Sequence, residues 1–390
     1  MLKLIKNGEV YNPDYIGKKD ILITGNKIGY VADDISVPKD FVDIEVIDAK
    51  GKFVVPGFID SHVHICGGGG EGSFKTRTPE IQLTDITIGG VTTVIGVLGT
   101  DGTTRTMSNL LAKARGLEEE GITCYVHTGS YQIPVRTITG SVQDDIILID
   151  KIIGVGEIAL ADHRSSQPIW EDVAKLAAAA RVGGMLSGKA GVVNIHMGDS
   201  KDTLNILYEV IENTEIPITQ FMPTHMNRNP YLFEDAIEYA KKGGYVDFTT
   251  STTDKFLEEG EVKCGTAIKT MLENGVSINN ITLTSDGQGS LPDFNEDGEY
   301  IGLQVGKVTS LYEAVRAGIL EDGLKIEDAI KVITSNPANI LKLHNKGYIK
   351  ENKDADIVLL DKDDLSIDTV IALGKVMIRN KQVFVKGTFE

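Results

Sequence analysis

Four of the seven histidines fall where apolar runs end: His62 and His64 in "DSHVHI", His196 in "GVVNIHMG" and His225 in "IPITQFMPTH". Each run reads as a β-strand, and residues two apart on a strand share a face. Two imidazoles aimed at one point make half of a metal site. The pair alone also fits two partly buried polar histidines. The other strand-end histidines favour the metal, because each stands where a common centre needs a ligand. Asp286 in "LTSDGQGS" is, as an aspartate before glycine, an ordinary turn residue. At the end of an apolar strand facing the same mouth, it is also placed to bind a metal and act as a general base. Glu157 lies inside the apolar run "IIGVGEIAL", where a lone carboxylate is costly unless paired or metal-bound. His127 reads as a hydrogen-bonded core residue, His344 as structural, and His163 stays open. Trp170, Cys66, Met222 and Met226 read as packing.

Strands must present these side chains together. The middle of the chain alternates strand patterns ("FVVPGFIDSHVHI", "VTTVIGVL", "CYVHTGSY", "IIGVGEIAL", "GVVNIHMG", "IPITQFMPTH", "YVDFTTS", "ITLTSDG") with helix patterns such as "MSNLLAKARGLEEEG" and "WEDVAKLAAAARVGG". Eight parallel-type strands with intervening helices predict an α/β fold, a (β/α)8 TIM barrel whose active residues lie at the C-terminal strand ends. A doubly wound open sheet is the alternative, but no GxGxxG or GxxxxGKS opens a helix. Both chain ends carry short alternating strands and turn signals. Neither end buries much core alone, so the two are predicted to form one small β-sandwich domain, 1–55 plus 346–390, beside a catalytic barrel over 56–345.

The chain is 390 residues long, with 39 basic and 56 acidic residues and a formal net charge of −17. That balance argues against nucleic acid or an anionic membrane as partner. No 18-residue apolar run predicts a membrane span, and "MLKLIKNGEVYNPD" has no signal-peptide pattern. The three cysteines, Cys66, Cys124 and Cys264, form no CxxC pair, which predicts a cytoplasmic, disulfide-free protein.

"PGFIDSHVHI" resembles the opening metal motif of the amidohydrolase superfamily, and "TSNPANIL" is similar to its closing barrel helix. Within that superfamily the chain resembles the isoaspartyl (β-aspartyl) dipeptidases. The resemblance rests on "GGGGEGSFKTRTPE", "GVLGTDGTTR", "TGSYQIPVRTITGSV", "DHRSS", "RVGGMLSGKAGVVNIHMGDS", "PTHMNRN", "TLTSDGQGS" and "VKGTFE", in order along nearly the whole chain. It implies that His62, His64, His196 and His225 bind metal and that Asp286 binds metal and shuttles protons. It implies that Glu71 holds the substrate's α-ammonium group and that Tyr131 supports the polarised carbonyl. Arg164 and Arg228 would bind substrate carboxylate, and Thr100, Ser290 and the backbone of Gly69 would contact the same substrate. These roles suit a dipeptide with a free amine and two carboxylates, for which an anion and planar guanidinium forks are apt partners. Taken singly, Arg164 and Arg228 also fit surface ion pairs, Glu71 a solvated loop, and Tyr131 a core aromatic.

The familiar members of that family bridge two metals with a carboxylated lysine on the fourth strand. Here the position falls on Glu157, and the stretch before it is longer by one residue. Lys151 lies too early and Lys189 in a later loop. Glu157 is therefore expected to be the bridge, its shorter stem moved inward by the extra residue or a backbone shift. The implied activity is hydrolysis of the β-linked amide of isoAsp-X dipeptides by a hydroxide bridging two divalent ions, releasing aspartate and an amino acid. Zinc fits the histidine-rich set, with manganese, iron, cobalt and nickel open. A homo-oligomer is implied as well. The alternatives are another amidohydrolase, such as an N-acyl-amino-acid hydrolase or cyclic amidase, and a metal-free scaffold on the same barrel.

Overall fold

The computed structural model describes residues 2–38, 40, 42–294 and 300–390. Strand signals at the two chain ends meet in a nine-stranded sheet. Its order is Gln382–Val383, Lys375–Arg379, Ile367–Ala372, Ile357–Asp361, Lys52–Pro56, Leu2–Tyr11, Tyr15–Thr24 and Lys27–Ala32, with Ile44–Asp48 also paired to Leu2–Tyr11. The seam between the ends is antiparallel and runs from Ile357 opposite Pro56 to Asp361 opposite Lys52. Gly25, at φ 65°, turns the tight Tyr15–Thr24/Lys27–Ala32 hairpin, a conformation glycine adopts without steric cost. The sheet encloses its own core, including Ile5, Val10, Ile21, Ile23, Ile357 and Leu359. The strands of both ends are thus joined by hydrogen bonds into one branched sheet, Leu2–Tyr11 pairing with three neighbours.

Every strand predicted in the middle of the chain forms: β1 (Phe58–Val63), β2 (Val91–Gly96), β3 (Thr123–Thr128), β4 (Ile152–Leu160), β5 (Val192–Met197), β6 (Phe221–Thr224), β7 (Val246–Thr249) and β8 (Ile281–Thr284). Strands β1 to β6 make one parallel sheet in sequence order, and β7 pairs parallel with β8. Main-chain bonds span both junctions. The Met226 amide donates to the Asp247 carbonyl at 3.1 Å, and the His64 amide to the Gly287 carbonyl at 2.9 Å. Buried Asp60 adds to the second, accepting from the amide of Ser285 at 3.2 Å. The order contains no reversal of the kind that marks a doubly wound sheet.

Helices cover the outside. Met107–Glu120 is representative: Thr106 caps it by accepting from the Asn109 amide, and Met107, Leu110, Ala114 and Leu117 are buried. Helical periodicity puts those four on one face. Inside, Ala338, Ile340, Leu341 and Leu343, in and just after the helix Ser335–Ile340, pack with Ile59, Ile153, Val192 and Met222 at the beginnings of their strands. The end away from the histidines is thereby plugged. No described helix is long and apolar enough to cross a membrane.

Candidate metal centre

Strand β1 delivers His62 from its body and His64 just beyond its end, β5 delivers His196, and the turns after β6 and β8 deliver His225 and Asp286. All four histidines are buried. His225 and Asp286 adopt φ of 64° and 54°, a region uncommon for residues with a Cβ. The ring of His225 is held by Thr249, whose Oγ1 lies 2.6 Å from Nδ1. Asn194, two residues before His196 on β5, places Oδ1 3.1 Å from Nδ1 of His62.

Glu157 is only 1% exposed and lies within β4, three residues short of its end, rather than closing it. The β4/β5 register carries an irregularity at this point. Val155 faces Val193 and Ile158 faces Ile195, so three steps on β4 match two on β5. An added residue resets the alternation of faces beyond it. Only glycine fits before it: a Cβ on Gly156, at φ 137°, would lie 2.5 Å from the Asn194 carbonyl oxygen. Glu157 Oε2 comes 2.5 Å from His62 Nε2, and its Oε1 lies 3.6 Å from His196 Nδ1. Asp286 Oδ1 lies 3.0 Å from His64 Nε2 and 3.7 Å from His62 Nε2.

These close approaches are not hydrogen bonds. His62 Nε2, both Glu157 oxygens and Asp286 Oδ1 are buried without a partner of acceptable geometry. Buried polar atoms ordinarily have partners, so a convergent set of orphans marks a place for something bound. Among the described residues, two triads have ligand atoms within 4.8 Å of one another: His62, His64 and Asp286, and His62, Glu157 and His225. Imidazole and carboxylate donors in this number suit divalent transition ions. The local field agrees. Burial opposes ionisation of Glu157, but His62 and His196 outweigh it and hold its carboxyl well below the usual range. Burial likewise works against a charge on His62, yet Glu157 and Asp286 drive its pKa up to about 9. The position favours positive charge.

The other expected residues border the cluster. Tyr131 puts its hydroxyl 3.0 Å from His196 Nδ1, and burial raises its pKa well above the ordinary value. Arg164 Nη2 and Arg228 Nη1 lie 3.3 and 3.5 Å from His196 Nε2. Glu71 accepts from Arg164 Nη1 at 3.2 Å and from the Thr100 hydroxyl at 2.9 Å. Gly69, at φ 66°, packs so tightly that an added Cβ would sit 3.1 Å from Ser290 Oγ. Sequence reasoning passed over Asp162. It grips Arg164 through Nε at 3.0 Å and Nη2 at 2.7 Å and stands 3.1 Å from His196 Nε2. Its place two residues before Arg164 in "DHRSS" was the available signal. Asn194 and Thr249 were passed over too; Asn194 was legible from its spacing to His196.

Two histidines outside the cluster differ from expectation, and two lysines follow it. His127 is fully buried, but neither ring nitrogen has a hydrogen-bond partner, and burial takes its pKa down to about 3. His344 is exposed. Lys151 pairs with Glu118, and Lys189 donates to the carbonyls of Ile146 and Ile149 at 2.6 and 2.5 Å. Both ammonium groups are engaged away from the cluster.

The sequence matches an amidohydrolase family model over residues 224–387 and a second amidohydrolase model over residues 45–98. Among curated proteins, a dihydroorotase of Clostridium acetobutylicum is 25% identical over 93% of this chain and 90% of its own length. Among solved structures, a D-hydantoinase at 19% identity and TM-score 0.69 shares the fold, covering 100% of this chain and 98% of its own. Fold and matches together define an amidohydrolase, a hydrolytic enzyme. The β-aspartyl dipeptidase of Fervidobacterium islandicum AW-1, solved with β-Asp-Leu, is 47% identical, with TM-score 0.91 over 98% of this chain and 97% of its own. A second structure of a β-aspartyl dipeptidase from that organism gives 45% and 0.89 over 98% of both chains. Within the amidohydrolases, the chain belongs to the β-aspartyl dipeptidase family.

Proposed function

We propose that the chain hydrolyses the β-linked amide of isoAsp-X dipeptides, releasing aspartate and a free amino acid. The observation that carries this reading is the near-full-length match at 47% identity to a β-aspartyl dipeptidase solved with β-Asp-Leu. The orphaned ligand atoms and the Glu71–Arg164 pair beside them agree with it. In this reading β1 to β8 act as one closed barrel, residues 56–345, with the chain-end sheet of 1–55 and 346–390 as its companion domain. A cytoplasmic homo-oligomer belongs to the same proposal. Cyclic amides, the substrates suggested by the dihydroorotase relative, are less favoured at 25% identity.

His62, His64, His196, His225, Asp286 and Glu157 would hold two divalent cations, zinc suiting the donors, with Glu157 in the place expected of a shared ligand. Bound there, such ions acidify water and polarise an amide carbonyl. Asp286 takes the proton of the attacking water and returns it to the departing amine. Tyr131, which stays protonated, donates to the carbonyl oxygen as negative charge develops on it. Glu71 accepts the substrate's α-ammonium, so a blocked amine loses its anchor. Arg164 and Arg228 grip carboxylate, while Gly69, Thr100 and Ser290 complete the polar contacts.

Purified protein is expected to cleave β-Asp-Leu while leaving α-Asp-Leu and N-acetyl-β-Asp-Leu essentially intact, with two metal ions per chain in the same sample. Comparable turnover of the α-linked or the blocked peptide would overturn the reading. A second expectation concerns Asp162, a positioning residue. Asp162→Asn weakens the charge-assisted fork on Arg164 and should raise KM for β-Asp-Leu about tenfold while changing kcat less. An unchanged KM would show that the grip on Arg164 is dispensable.

A further inference from the structure

The space beside Asp286 extends past every group used above. A cavity of about 680 Å³ runs from His225 and Asp286 outward. Its apolar wall is made by Pro230, Tyr231, Phe256 and Leu291. That wall is built, not incidental. The Tyr231 hydroxyl donates to the Asp199 carbonyl at 2.5 Å, which fixes the ring across the mouth. Phe256 projects from the helix Asp254–Glu258, whose N-cap is Thr253.

Beyond Asp286, the carboxylates of Asp199, Glu259 and Glu261 line the same cavity, with Arg164, Arg228 and Lys255; of these acids Glu261 is the one held well inside, its carboxyl pushed up by burial. Its loop is pinned to the metal-ligand turn. The Val262 amide donates to the Asn227 carbonyl at 2.9 Å, and Asn227 Nδ2 donates to the Val262 carbonyl at 3.1 Å. Asn227 is itself buried and bonded to both backbone groups of Thr249. The charges around Glu261 are largely engaged: Lys255 lies 3.8 Å from Glu259, and Arg228, whose charge also acts on Glu261, donates to the Met197 carbonyl at 2.9 Å and lies 3.9 Å from Asp199.

We propose that this cavity receives the side chain of the residue released from the dipeptide, with Phe256 and its apolar neighbours selecting for bulk and Glu261 excluding acidic side chains. The inference rests on the dipeptidase reading. With the aspartyl half held at Glu71 and the scissile carbonyl beside Asp286, the released residue extends toward Phe256. A large aliphatic side chain gains by leaving water there. An acidic one meets a fixed like charge in a partly desolvated wall, and such juxtaposition discriminates against wrong partners.

The test compares kcat/KM for β-Asp-Gly, β-Asp-Leu and β-Asp-Glu. The assay is run at about pH 8, where even a carboxyl that burial pushes up to about 7 is ionised. For the unaltered enzyme we expect β-Asp-Leu to exceed β-Asp-Glu by about tenfold or more. Glu261→Gln should shrink that gap several-fold, and Phe256→Ala should cut the Leu-to-Gly ratio about tenfold. Equal use of Leu and Glu peptides by the unaltered enzyme would overturn the proposal, and needs no variant to fold. So would ratios unmoved by both substitutions. If no β-linked peptide is cleaved, the dipeptidase reading itself falls, and this inference with it.

Discussion

Asp286→Asn is expected to lower kcat for β-Asp-Leu by about 10³-fold or more, the scale of losing a positioned general acid–base group. The carboxylate stands 3.0 Å from His64 Nε2 and 3.7 Å from His62 Nε2, at the mouth of the substrate cavity. It is the one carboxylate of the cluster with appreciable side-chain exposure, 18% against 1% for Glu157. An amide side chain keeps the shape and one oxygen but cannot carry the proton from water to leaving amine. Measuring metal content alongside the rate separates the two duties of the residue. Two ions retained with a collapsed kcat assigns the loss to proton transfer. A variant within tenfold of the unaltered enzyme would remove Asp286 from the mechanism.

Glu157→Gln is expected to cost at least one of the two metal ions and about a hundredfold or more in activity. The carboxylate approaches both His62 and His196, one oxygen to each, from the core of β4. In the proposed centre its buried charge would balance the cations, and the neutral amide would leave that charge uncompensated. The unaltered protein, carrying its bridge in its own sequence, should keep both ions through exhaustive removal of carbon dioxide. Loss of one ion under that treatment would mean that a carbamate, not Glu157, completes the centre.

How far the sequence revealed this site depended on periodicity. His62 and His64, and Asn194 with His196, are two apart on strands, so a period of two places them without further information. The strand–helix alternation likewise made the parallel strands legible. Contacts between distant loops were not. Glu71 meets Arg164 across 93 residues, and His225 finds Thr249 from the next strand. Such pairings depend on loop paths that no local pattern encodes. The irregularity at Glu157 lies between these cases. An apolar run with one carboxylate in it was legible, but the register shift between β4 and β5 at that carboxylate was not. The missed partner of His127 has another cause: a buried imidazole was expected to be bonded, and the core around it offers none.

The seam between the two chain ends bears on how the molecule comes into being. Lys52 and Asp361 are 309 positions apart in the chain and bonded in the fold. The strand Lys52–Pro56 runs almost directly into β1, which carries His62. During synthesis from the N-terminus, that strand has no Ile357–Asp361 to pair with until residues 309 positions further along have emerged, and closing so long a loop carries its own entropic toll. His62 and His64, the first two ligands of the proposed centre, are thus anchored by residues made long after them. A product that stops before Ile357 leaves those histidines without that brace, so the proposed centre depends on a pairing that local synthesis cannot supply.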